Sequence, residues 1–116
     1  MPATIFHNPR CSKSRQALEL LQQNGIEPHI VKYLETPPDA EQLRQIIQML
    51  GIPAHELLRK KEAEFKLAGL DQSTLDDDTV IEAMMQYPKL IERPIVVHNG
   101  KAMIGRPPEK VLTIFP

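Results

Sequence analysis

This chain has little that could hold it together covalently. Cys11 is the only cysteine among 116 residues, so an internal disulfide is excluded and a reducing compartment suits the protein. No cysteine and histidine residues share zinc spacing, and the four histidines are scattered. Neither sign of charge is in excess. The net charge is −1, with bases and acids mixed along the chain, which leaves no electrostatic footprint for nucleic acid or anionic lipid. No apolar run approaches bilayer-spanning length, and "MPATIFHNPR" lacks the apolar region of a signal peptide, so a cytoplasmic protein without membrane attachment is expected. Internal repeats, low-complexity tracts and linkers are missing as well, and the eleven prolines punctuate elements rather than form a tract. What is left is a single domain over residues 1–116, with 41% hydrophobic residues to fill a core without disulfide or structural metal.

The segment "ATIFH" is apolar and β-prone and predicts a strand over about 3–7. After a loop through Asn8, Pro9 and Arg10, a helix is predicted from about Ser12 to Gln23, with Ser14, Ala17, Leu18 and Leu21 on one face and Asn24-Gly25 as the stop. "PHIVKYLE" reads as a second strand. Short connections make this a βαβ unit with parallel strands and a right-handed crossover. Asp39, with Gln42 three residues on, predicts the start of a helix carrying Leu43, Ile46, Ile47 and Leu50 as its apolar stripe and ending at Gly51. Shorter helical pieces are expected over "AHELLRKKE" and "EAEFKLAGL". "DDDTVIEAMMQYP" predicts a further helix with Ile81, Met84 and Met85 on one side, its run of aspartates reading as a solvated cap. Asn99-Gly100 between "PIVVH" and "KAMIG" is a hairpin signal, because both turn residues need positive φ. Pro107 and Pro108 suit the first turn of a last helix, with Pro108, Val111, Leu112 and Phe115 as its buried face.

The order is thus βαβ, a helical block at about 39–90, then ββα. With the block set aside, the two halves make a four-stranded mixed sheet flanked by helices, which is the thioredoxin-like arrangement. In it the loop after the first strand carries a reactive cysteine, here Cys11, and a proline that is often cis, here Pro94, faces it.

Cys11 sits in a polar, basic loop at a helix start. A free thiol has a pKa of about 8.5 and is about 3% ionised at pH 7, whereas a pKa near 6 would raise that to about 90%. The sequence offers three ways down: unpaired N–H groups in the first turn of the helix, full charges on Arg10, Lys13 and Arg15, and hydrogen bonds from His7, Ser12 and Ser14. The same features bind an oxyanion. A passive, space-filling thiol is the competing reading, and the setting argues against it. Two other readings fail on spacing. Phosphatases with a Cys-x5-Arg loop need an arginine at position 17, where Ala17 stands, and a dithiol motif needs a second cysteine where "CSKS" has Ser14. A lone thiol can bond a substrate but must be released by an external thiol through a mixed disulfide. Arg59, Arg93 and Arg106 could each be a surface cation. Arg93 precedes Pro94 and is therefore held extended, and Arg106 enters the last helix. A guanidinium fork suits a tetrahedral oxyanion.

Together "HNPRCSKSR", "YLETPP", "LLRKK", "RPIVV" and "GRPPEKVL" resemble the glutaredoxin-linked arsenate reductase family over essentially the whole chain. The resemblance implies a thioredoxin-like fold with a helical insertion. It implies that Cys11 attacks arsenate, that Arg59, Arg93 and Arg106 hold the oxyanion, and that His7 and Ser14 tune the thiolate. It implies no bound cofactor and no metal, glutathione as co-substrate, glutaredoxin as reducing partner, and a monomer. Two departures stand out: Arg10 where some members carry a small residue, and an end soon after the last helix, as in chromosomally encoded relatives. A sister group, the Spx-type regulators, binds RNA polymerase. Some of its members have a Cys-x-x-Cys switch that "CSKS" lacks, and other short relatives lack the arginine kept here as Arg106. A general glutathione-dependent thiol reductase is a third reading.

Overall fold

The computed structural model describes residues 2–72 and 74–116. Contacts group the chain into two units, one made of the residues up to Thr36 with Arg93–Pro116, the other of Pro37–Glu92.

The first unit holds the sheet. Strand β1 (Ala3–His7) leads through helix α1 (Ser12–Gln23) to β2 (His29–Lys32), and the hairpin β3 (Ile95–His98) and β4 (Lys101–Ile104) completes it. The strand order is β2-β1-β3-β4. β1 runs parallel to β2 and antiparallel to β3, and β3 is antiparallel to β4, which gives the expected mixed sheet. The hairpin turns on Asn99 at φ 52° and Gly100 at φ 76°, the two positive values that such a turn demands. Ile5 of β1, Val96 of β3, Ala17 and Leu21 of α1, and Val111 and Ile114 of the last helix form one buried cluster. The two helices therefore cover the same face of the sheet. Each such aliphatic side chain removed from water contributes about 1.5–3 kcal/mol.

Three details of this unit differ from the local reading. β2 stops at Lys32 instead of running on to Glu35, because its neighbour β1 ends at the paired residue His7; the chain then turns, with the Glu35 and Thr36 N–H groups both bonding the Lys32 carbonyl at 2.9 Å. The last helix, Pro108–Ile114, is 3-10 rather than α. Three residues per turn put Pro108, Val111 and Ile114 on the buried face, while Leu112 and Phe115 are half-buried. Leu18 is likewise half-buried beside Ser14, Ala17 and Leu21.

The second unit is helical. α2 (Ala40–Leu50) opens on a reciprocal capping box, in which the Gln42 N–H donates to Asp39 Oδ1 at 2.8 Å and the Asp39 N–H donates to Gln42 Oε1 at 3.1 Å. It buries Leu43, Ile46 and Ile47 and leaves Leu50 half-buried. A 3-10 turn over Ala54–Leu57 follows, then the short α3 (Ala63–Leu67), a 3-10 turn over Leu70–Gln72, α4 (Asp77–Gln86) and a 3-10 turn over Pro88–Leu90. The helix expected across "AHELLRKKE" breaks at Leu58, which pairs antiparallel with Ile91. The Arg59 N–H then reaches the Leu90 carbonyl at 2.7 Å, and the Glu92 N–H reaches that of Leu57 at 2.8 Å. α4 is capped by Asp76, whose carboxylate accepts from the Thr79 N–H at 2.8 Å. That bond holds its pKa below the ordinary carboxylate value. α4 packs against α2 and buries Val80, Ile81, Ala83 and Met84. Met85 is turned outward, 39% exposed, because its position falls on the solvent side of the 100° step from Met84.

Candidate active site

The topology collects chemistry at one edge of the sheet. β1 and β2 end there, at the paired His7 and Lys32; β3 starts there and β4 finishes there, at the paired Ile95 and Ile104. The loop after β1, the Arg93-Pro94 approach to β3 and the Gly105-Arg106 exit from β4 therefore all belong to this edge.

Asn8 shapes the loop. It is only 8% exposed. Its carbonyl accepts from the Cys11 N–H at 3.0 Å, closing a four-residue turn around Pro9. Its side-chain Oδ1 accepts from the Arg10 N–H at 3.0 Å. The turn delivers Cys11 to the N-cap of α1 in an extended conformation, φ −92° and ψ 122°, and the thiol is half-buried. The cap forms no hydrogen bond of strict geometry to the side chain, and the first turn carries no acidic residue.

Burial alone would raise the Cys11 pKa. The Ser14 N–H, a hydrogen bond from the Arg93 side chain, the Lys13 N–H and the charge of Arg93 together outweigh it and hold the thiol below its ordinary value. The full charge on the sulfur is thus Arg93's, and not that of Arg10, Lys13 or Arg15. Those three side chains are exposed. Arg15 donates instead to the Pro9 carbonyl at 2.8 Å, and Lys13 acts through its backbone.

His7 and Ser14 are buried side by side, with Nδ1 and Oγ 2.7 Å apart. Ser14 Oγ also accepts from the Asn8 N–H at 3.0 Å. The hydroxyl proton of this fully buried serine needs an acceptor, and among the described residues His7 Nδ1 is the one in reach. The hydroxyl therefore donates to Nδ1, and Nε2 carries the imidazole proton. Burial first, then the charges of Lys32 and Arg15, lower the His7 pKa and keep the ring neutral. Contact with the sulfur through the Ser14 hydroxyl, expected from sequence, is replaced by contact through its N–H.

On the other side of β1 the Arg93-Pro94 peptide is cis, as expected for the proline at this place. Arg106 Nε donates to the Arg93 carbonyl at 3.0 Å, so the two arginines are tied and one of them reaches Cys11. The Arg106-Pro107 peptide is also cis, which no sequence pattern announced. Gly105 fits against Pro94. A Cβ there would lie 2.7 Å from Pro94 Cγ and 3.0 Å from Val111 Cγ1, and its N–H bonds the Pro94 carbonyl at 2.9 Å. The structure thus links Cys11, Arg93 and Arg106, and, through the loop, His7 and Ser14. Arg59 lies in the helical unit, where Nη1 contacts Glu92 Oε1 at 3.0 Å and Nε approaches Glu62 Oε1 at 3.6 Å. Asn8 and Gly105 were not picked out as site residues from the sequence. The signals were an asparagine before proline at a strand end and a glycine between a strand and "RPP". Among the described residues no group of three histidine, cysteine or acidic side chains could hold a metal ion, and no helix is long and apolar enough to cross a membrane.

A four-stranded mixed sheet with a thiol at the N-cap of its first helix and a cis-proline at the same edge defines a thioredoxin-like protein. More narrowly, the chain belongs to the ArsC family, whose description matches residues 6–114. It is 58% identical to the uncharacterised YfgD protein of Escherichia coli K12, over 95% of this chain and 93% of that one. It is 51% identical to an arsenate reductase of Neisseria meningitidis serogroup B, over 96% of each. The solved arsenate reductase from Vibrio cholerae superposes with a TM-score of 0.94 at 51% identity, covering 99% of this chain and 98% of that one.

Proposed function

We propose that this protein reduces arsenate to arsenite with Cys11 as nucleophile, glutathione as co-substrate and glutaredoxin as the agent that restores the thiol. The observation that carries the reading is the Arg93 guanidinium on the sulfur of a thiol whose pKa is lowered, with Arg106 tied to the Arg93 carbonyl. The family membership and the names of the relatives support arsenate as the oxyanion. The need for an outside thiol agrees with the single cysteine and with a reducing cytoplasm.

The Cys11 thiol and the singly charged arsenate anion condense to a sulfur–arsenic adduct with loss of water. Arg93 and Arg106 orient the tetrahedral anion and stabilise the charge that gathers on its oxygens. Arg59, the third guanidinium that the resemblance implies, is engaged within the helical unit by Glu92 and Glu62. Glutathione then attacks the Cys11 sulfur. The sulfur–sulfur bond forms, the sulfur–arsenic bond breaks, and arsenic keeps the electron pair and leaves as arsenite. Exchange with a further thiol, carried by glutaredoxin, frees Cys11. His7 and Ser14 support the thiolate indirectly, by fixing the turn that aims the Ser14 N–H at it.

Steady-state arsenate reduction with glutathione and glutaredoxin tests this. Cys11→Ser should abolish turnover, and Arg106→Ala should weaken arsenate binding by about 1.5–3 kcal/mol, the loss of a charge-assisted hydrogen bond. A wild type without turnover, or a Cys11→Ser variant that keeps it, would overturn the proposal. Rapid disulfide reduction that ignores Arg106→Ala would point to a general thiol reductase.

A further inference from the structure

We infer that the cavity on the β2 side of the Cys11 loop binds the peptide part of the thiol co-substrate. This inference rests on the glutathione-dependent reading above. The cavity measures about 310 Å³, at the lower end of small-molecule sites. His7, Arg10, Lys32, Leu34 and Glu35 line it. β2 and β3 flank β1 on opposite sides. The Arg93 guanidinium reaches the sulfur from the β3 side, so the cavity on the β2 side is separate from the arginine pair.

Its charges are uncommitted. Arg10, Lys32 and Glu35 form no ion pair or side-chain hydrogen bond among the described residues. His7, 6% exposed, has Nδ1 engaged by Ser14 and keeps an Nε2–H without a hydrogen-bond partner among the described residues. Two cations, one carboxylate and one neutral donor therefore surround a space beside an apolar wall from Leu34. Glutathione carries two carboxylates and one ammonium at neutral pH. The complement is group for group: Arg10 and Lys32 for the carboxylates, Glu35 for the ammonium, and the His7 Nε2–H for a peptide or carboxylate oxygen. Arg10 adjoins Cys11 in the chain, so a tripeptide held by these groups lies beside the loop that carries the nucleophile. An oxyanion held by the arginines and a thiol held here would then approach Cys11 from two sides.

S-methylglutathione tests the site without any reaction, because its sulfur is blocked. Titrated into the ¹⁵N-labelled full chain, it should give saturable amide shifts at Asn8, Arg10, Lys32 and Glu35. Lys32→Glu and, independently, the exposed Arg10→Ala should weaken binding about tenfold or more, while Lys32→Arg should retain it. Absence of saturable binding overturns the inference, as do shifts confined to His98, Asn99 and Lys101 at the opposite edge of the sheet, or full affinity in both Lys32→Glu and Arg10→Ala. Failure of the arsenate reading looks different: S-methylglutathione binds at this cavity, yet arsenate is not turned over with any thiol.

Discussion

At the residue scale, the behaviour of Cys11 follows from which groups reach its sulfur. Helix-end N–H groups and one guanidinium lower its pKa against the opposing effect of burial. Iodoacetamide alkylation followed across a pH series should therefore show a midpoint below the ordinary thiol value of about 8.5. Arg93→Ala should move that midpoint upward, because it removes both a hydrogen bond to the anion and a neighbouring charge. Lys13→Ala should leave it in place, since Lys13 contributes its N–H, which alanine keeps. An ordinary midpoint in the wild type would sink this account. His7 has its pKa lowered by burial and by the charges of Lys32 and Arg15. Folding disfavours its charged form, so the unfolded chain takes up a proton near pH 6.5 while the folded one resists until lower pH. In that window the unfolded state binds more protons, and stability falls as pH drops. Urea midpoints at pH 7.5 and 5.5 should show the loss, and His7→Asn should make it smaller.

At the element scale, the arginine pair depends on backbone that lies between β3 and the last helix. Gly105 packs its Cα against Pro94 and Val111, where a methyl group has no room. Gly105→Ala should cost about 1–3 kcal/mol by overpacking, read as a lowered urea midpoint. It should also shift the Cys11 alkylation midpoint upward, because the displaced Pro94 carries Arg93 with it. A destabilised variant with an unchanged midpoint would make Gly105 a packing residue alone. The elements themselves were mostly legible from local patterns. β1 and α1 have the predicted bounds, the capping box at Asp39 and Gln42 formed as read, and Asn99-Gly100 made the hairpin. Three misreadings share a cause outside the segment concerned. β2 stops where the strand it pairs with stops, Leu58 abandons helix for a bridge to Ile91, and the last helix takes a tighter winding that buries Ile114 instead of Leu112.

At the scale of the whole molecule, the described residues make a sheet unit and a helical unit, and local stability should differ along the chain. Ile5, Val96 and Leu21 are completely buried, whereas α3 buries no residue and Leu67 is 68% exposed. Amide hydrogen exchange should be slowest in β1 and β3, reporting global unfolding, and much faster over 63–69. Equal protection in the two regions would contradict that ranking. The fold class, the position of Cys11 at a helix start, the proline before the hairpin and the absence of a second cysteine were all determined by the amino-acid sequence alone, because periodicity, turn chemistry and composition are properties of the sequence itself. Which cation meets the sulfur was decided only by the tertiary structure. Arg10, Lys13 and Arg15 are neighbours of Cys11 in sequence yet place no side-chain charge on its sulfur, while Arg93, more than eighty residues away, is brought to it by the antiparallel pairing of β1 with β3. Charge acts through distance in space, and that distance is set by strand pairing, not by position along the chain.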